Sequence, residues 1–195
     1  MPTIIAITAY AANELDVSAW QTAYEDNYDF NIHSDWHDAA YEDFRQIGNL
    51  IGLSDLEMQF SGFSRQGDGA SFTGHYAHKA GALAAVKQHA PLASSLHAIV
   101  QDLVSLQRDH GYRLECRIYS SASIYVHSDA MRFDVEEYPG LVPEAEEKLA
   151  TCMRALADWL YANLEDEHAH LTSEDVVREA LIANEVKFTE SGETL

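Results

Sequence analysis

Apolar positions along the chain follow two rhythms. From Met58 the spacing is two: Met58, Phe60 and Gly62 share one face, and Gln59, Ser61 and Phe63 the other. Ala70, Phe72, Gly74 and Tyr76 repeat it, which predicts a hairpin about Arg65-Gln66-Gly67-Asp68-Gly69. Asp-Gly favours such a turn because glycine takes positive φ without a Cβ clash. Gly62 and Gly74 predict bulges or close backbone approach. Phe63 falls on the face away from Phe60, so it is either covered by a helix or exposed beside Arg65, Gln66 and Asp68. A second hairpin is expected from Tyr112, Leu114, Cys116 and Ile118, alternating with Arg113, Glu115 and Arg117. Its return strand starts at 124–127, bulges at Ser128-Asp129 and resumes through Met131, Phe133 and Val135.

Elsewhere the spacing is three and four, which predicts helices. One is capped by Asn13 or Asp16 and carries Val17, Trp20, Ala23, Tyr24 and Asn27. The next is capped by Ser34, carries Trp36, Ala40, Phe44, Ile47 and Ile51, and stops at Gly52. An Ala-rich helix covers 78–88, and another opens at Pro91 with Leu92, Leu96, Ile99, Leu103 and Leu106 inside, ending at Gly111. A long amphipathic helix spans 144–167, and a last one follows Thr172 or Ser173. Short strands are expected at 3–8 and 186–188. The fold class is α+β: an antiparallel sheet of about four strands, from two hairpins, packed with about six helices. The chain reads as one domain, 1–195, with an acidic helical part at 1–56, a sheet-rich core at 57–138 and an acidic helical part at 139–195.

Charge sharpens this division. The chain has 12 Lys and Arg against 32 Asp and Glu, a formal charge of −20, with 47% hydrophobic residues. That apolar content fits a folded chain, and the charge excludes direct nucleic-acid or anionic-membrane binding as the main activity. Residues 1–56 hold ten acids and one base, 57–133 six acids and seven bases, and 134–195 sixteen acids and four bases. The excess therefore rides on the flanking helices. The plain reading is solubility. The sharper reading is a surface for a basic partner, with Glu144, Glu146, Glu147, Glu165, Asp166 and Glu167 imitating the regular phosphate charge of nucleic acid. The long helix would equally serve a homodimer. Cys116 and Cys152 read as buried, reduced thiols. The N-terminus has no basic segment and too short an apolar run for a leader or membrane span, so a cytoplasmic setting is expected.

Candidate chemistry is sparse. The plain reading of the Gly-Asp-Gly stretch is a turn; a functional reading needs Gln66, Asp68 and Ser71 to converge. His33 and His37 with Asp38, and His168 and His170 beside Glu165, Asp166 and Glu167, form no closed ligand set. No metal and no cofactor is expected. His127 cannot serve Ser128 as a base, because adjacent strand residues face opposite ways. An Asp68–Glu115 acid–base pair would need tertiary proximity. Tyr112, Arg113, Arg117 and Tyr119 mix bases with aromatics, against the global charge.

The stretch FSGFSRQGDGASFTG, with YEDFRQIG before it and YVHSDAMRFDVE and TSEDVVREALIANEVKFTESG after it, resembles a family of small acidic proteins. Phages and prophages encode them, often under the label of antitoxin of a toxin–antitoxin stability system. The similarity runs from about Trp36 to the end, and Ser64 stands where a bulky aromatic is expected. The phage setting that the resemblance implies, taken with the acidic surface, leads to the expectation of an inhibitor in the host bacterial cytoplasm that blocks a defence protein by occupying its basic surface, as anti-CRISPR or anti-restriction proteins do. Phe63, Arg65, Gln66, Asp68 and the six helical acids named above would contact that protein. An antitoxin binding its toxin is the first alternative; an enzyme using the Gln66–Ser71 turn is the second.

Overall fold

The computed structural model describes residues 7–33, 35–120, 126–136 and 138–195. The chain divides into two compact units, 39–165 and 1–38 with 166–195.

The larger unit is built on a four-stranded antiparallel sheet in the order β1 (Leu53–Phe60), β2 (Ala70–Tyr76), β3 (Cys116–Ser120) and β4 (Met131–Val135). Helix α2 (Asp38–Ile51) runs straight into β1 through Gly52 alone. Gly52 sits at φ +99°, and a Cβ there would run into the Ala77 carbonyl. The strand thus begins earlier than its alternation indicates. Its first part is irregular: the register with β2 shifts between Ser54 and Glu57, and Asp55 adopts φ 52°. Gly74 lies across this bulge, and a Cβ on it would meet the Ser54 carbonyl at 2.6 Å, the close approach its position in the strand predicts.

The alternation expected of the strands holds. Met58, Phe72, Tyr76, Cys116, Ile118 and Met131 are buried on the inner face. Gln59, His75, Arg117, Tyr119 and Asp134 are exposed on the outer face. Helices gather on the inner face. Phe44 of α2 meets Phe72 at 5.4 Å between ring centroids and stacks on Trp159 of α5 (Pro143–Leu171) at 6.5 Å. Tyr41 meets Phe60 edge-on, and burial pushes its phenol up to about 12. Leu96, Val100, Leu103 and Leu106 of α4 (Ser94–Asp109) are buried, with α3 (Ala82–His89) packed on that helix through Val86. Helix α4 starts later than Pro91 predicts, and Leu92 is 94% exposed instead of lying on its apolar stripe.

The end of α4 holds the start of β3. Gln107 is fully buried; its Nε2 donates to the Leu114 carbonyl at 2.6 Å and to the Tyr76 hydroxyl at 3.1 Å. Its Oε1 accepts from the Leu114 N–H at 3.2 Å. One amide so satisfies both main-chain groups of Leu114 where the strand ladder has not begun. Tyr112, expected in the strand, sits at φ 62° in the turn before it. Of the turn expected at 120–123 and the strand start expected at 124–127, residues 121–125 lie outside the described residues; Ser120 still belongs to β3, and Val126 and His127 are not in a strand. The bulge expected at Ser128-Asp129 is a short 3-10 turn, Ser128–Ala130.

The smaller unit has its own core of Ala12, Trp20, Ala23, Val177, Leu181 and Phe188. Asp16 caps α1 (Val17–Asn27) by accepting the Ala19 N–H at 2.9 Å, which with the Ser18 hydroxyl lowers its carboxyl below the usual range. Val17, expected inside, is 88% exposed. Ser173 opens α6 (Glu174–Ala183), and the Arg178 guanidinium lies 4.0 Å over the Trp20 ring. Phe188 forms isolated bridges with Tyr10 and Thr194 in place of an edge strand. The Ser34 cap and most of the strand expected at 3–8 fall outside the described residues. Among the described residues no helix is long and apolar enough to cross a membrane.

Both cysteines are free and buried, and burial pushes the Cys116 thiol up to about 12 and the Cys152 thiol up to about 11. Gln107→Leu keeps the volume but strands the main chain of Leu114. It is expected to cost about 2–3 kcal/mol in urea unfolding.

Candidate functional site

The loop 61–69 that joins β1 to β2 is longer than a tight Asp-Gly turn, and one side chain organises it. Asp68 Oδ2 accepts the N–H groups of Ser64 at 2.9 Å and Arg65 at 2.7 Å, while the Asp68 N–H donates to the Arg65 carbonyl at 3.1 Å. This is an Asx-type closure. Gly67, at φ +96°, takes the left-handed corner. At the loop's base the Gly69 N–H donates to Ser61 Oγ at 3.0 Å, and the Ser61 N–H to the Gly69 carbonyl at 3.0 Å. A Cβ on Gly69 would meet His127 at 2.8 Å, so glycine is required for that packing.

Helix α5 backs the loop. Phe63 stacks on Phe60 at 5.6 Å and meets Tyr161 with tilted rings at 5.4 Å. The chain leaves the strand after Phe60, so Phe63 turns back over it rather than pointing the opposite way. Tyr161 donates its hydroxyl to the Gly62 carbonyl at 3.1 Å. Its phenol is raised above the ordinary value by burial and by the carboxylates of Glu165 and Asp68. Tyr161 therefore ties the loop to the helix turn that carries Glu165. It was not among the expected site residues, because it lies off the apolar stripe of α5 and carries no charge.

The expected residues separate accordingly. Arg65 and Gln66 are exposed at the loop tip, Phe63 is half-buried in the ring stack, and Asp68 is half-buried and committed to the main chain. Ser71 is 4% exposed, so the Gln66–Ser71 stretch presents no accessible serine beside Asp68. Glu144, Glu146 and Glu147 are exposed at the start of α5, where Glu144 and Glu146 also complement the helix dipole. Glu165 and Asp166 are exposed and Glu167 is half-buried near the other end, where the dipole gives negative charge no support.

Little internal cation is spent on these acids. Among the described residues, the arginine–carboxylate pairs within 4 Å are Arg45–Glu42 and Arg108–Asp109, both on the surface. Arg132 and Arg154 donate instead to the Met131 carbonyl, Lys79 donates to the Asn49 carbonyl, and Arg178 covers Trp20. Arg113 and Arg117, for which pairing with the acidic helices is the expectation, form no carboxylate pair within 4 Å among the described residues. His33 and His37 precede α2 rather than sharing a face of it. Among the described residues no group of three or more His, Cys, Asp or Glu is placed to hold a metal ion.

Residues 36–174 match the family model of a domain of unknown function, DUF8835. That span contains the sheet, the loop and all of α5. No curated protein and no solved structure matches the chain.

Asp68→Ala leaves two loop N–H groups without their acceptor. It is expected to speed proteolysis within 61–69 and to lower stability by about 1–2 kcal/mol. Tyr161 supplies a pH test. A raised phenol contributes stability that is full below the unfolded tyrosine value of 10 and is lost as pH rises through the folded value. Loop cleavage should therefore rise at alkaline pH in the wild type, while Tyr161→Phe removes that step from the profile.

Proposed function

Because the chain belongs to the DUF8835 family, which carries no assigned activity, we propose its function from the surface it presents: an acidic inhibitor of phage or prophage type. It binds a bacterial defence protein and occupies the basic surface that protein uses for nucleic acid. The observation that carries this reading is that the acids of α5 lack cationic partners within the described chain. Self-repulsion of this kind costs stability. It is retained most readily where a cationic partner removes it.

The loop 61–69 supports the same reading. It is ordered before binding by Asp68, Ser61 and the Phe60–Phe63–Tyr161 stack. Arg65 and Gln66 are offered on a fixed base beside Glu165, so little ordering entropy is lost on contact. An antitoxin would use the same surface and differs in its partner, a toxin encoded nearby. The enzyme reading draws no support from the loop, where Asp68 is bound to the main chain and Ser71 is buried.

Capture from host lysate, followed by identification of the bound protein, tests the proposal. The partner is expected to be basic, its affinity to fall steeply with salt, and nucleic acid to compete. The triple change Glu165→Gln, Asp166→Asn and Glu167→Gln is expected to weaken binding by about tenfold or more and to flatten the salt dependence. Binding that ignores both salt and these substitutions removes the charge-based reading.

A further inference from the structure

The sheet has two outer strands, and they are built differently. The β1 edge is broken by the bulge between Ser54 and Glu57, with Asp55 at φ 52°, and it carries Asp55 and Glu57. Bulges and charges are the usual protection of a sheet edge. The β4 edge pairs with β3 in one unbroken register, from Cys116 opposite Val135 to Ser120 opposite Met131.

The direction of the β4 main chain follows from one bond. The Glu136 N–H donates to the Glu115 carbonyl at 2.9 Å. In an antiparallel ladder this places Asp134 and Arg132 in the bonded pairs and turns the N–H and C=O groups of Met131, Phe133 and Val135 outward. Those of Met131 are occupied, by the Ser128 carbonyl and by the guanidinium groups of Arg132 and Arg154. Those of Phe133 and Val135 have no partner among the described residues. Their side chains are half-buried and line a groove of about 330 Å³ whose α5 wall is Glu146, Glu147, Ala150 and Arg154.

The strand is also complementary to itself. Met-Arg-Phe-Asp-Val, reversed about Phe133, sets opposite charges against each other and apolar residues against apolar ones. An antiparallel copy in that register places Arg132 opposite the partner's Asp134 on the exposed face, and Asp134 opposite the partner's Arg132. On the inner face it places Phe133 against the partner's Phe133, and Met131 against the partner's Val135. Opposite charges and aromatic pairs directly across a strand pair are stabilising, and like charges there are not.

We propose that β4 is the seam of a homodimer. Two copies pair β4 to β4 about a two-fold axis at Phe133, joining their sheets into one. The partner's Phe133 supplies the missing hydrogen bonds of Phe133, while Val135 packs opposite the partner's Met131, whose main-chain groups stay bonded within their own chain. This surface shares Glu146 and Glu147 with the acids of the proposed inhibitor site and is separate from the loop and from Glu165, Asp166 and Glu167.

Sedimentation velocity on the full chain at physiological ionic strength tests it. The wild type is expected to sediment as a dimer. Arg132→Asp makes both cross-pairs acid against acid, and Asp134→Arg makes both base against base. Each is expected to raise the dimer dissociation constant by about tenfold or more. An equal mixture of the two variants restores both attractive pairs and is expected to recover the dimer as a heterodimer, which also shows that each variant is folded. A wild type that stays monomeric, a dimer indifferent to both reversals, or variants that fail to re-associate on mixing would each overturn the proposal.

Discussion

Phe44 lies between Phe72 of the sheet and Trp159 of the longest helix, and the larger unit closes around that contact. It fixes which face of the sheet is inside. Helix α2 brings Phe44 and Tyr41, α4 brings its leucines, and α5 brings Trp159 and Leu156 to the same side. Only alternate strand residues are then needed for the core, and the others face outward as Gln59, His75, Arg117 and Asp134. A sheet packed on one face alone can place polar chemistry at every second position without disturbing its interior.

The electrostatics follow from the same arrangement. Arg132 of the sheet and Arg154 of α5 are taken up by the Met131 carbonyl and, for Arg154, by the Phe133 ring face. They are thereby withdrawn from the helical carboxylates. The acids at the start of α5 have a local reason to be there, since they complement the helix dipole. Glu165, Asp166 and Glu167 have none within the helix, and Glu165 alone among them also bears on the loop through Tyr161. The two surfaces that composition suggests, turn and acidic helix, are in this way one neighbourhood at Tyr161.

How much of this is legible in the sequence depends on whether a residue's role is periodic. The inner faces of β2 and β3, the α4 stripe from Leu96 to Leu106 and the Asp16 cap can be read directly, because burial repeats at the element's own spacing. The start of β1 cannot, because a bulge breaks its period and Asp55 and Glu57 read as loop. Gln107 reads as a polar end of a helix, while in the fold it is fully buried against Leu114 and Tyr76. The loop 61–69 reads as a glycine turn, yet its shape is set by a carboxylate bonding two and three residues beyond the nearest glycine and by a tyrosine ninety-nine positions away from Gly62. Contacts of that kind leave no spacing to detect.

The joint at Gly52 leaves α2 and β1 no slack. A residue gained or lost there would shift β1 by one place, turning Met58 outward and Gln59 into the core, unless the helix unwound to absorb it. The opposite end of the same strand opens into a loop that can change length without altering any strand pair. Change in chain length is therefore admissible at one end of β1 and forbidden at the other, so divergence in this fold is channelled toward the tip that carries Arg65 and Gln66.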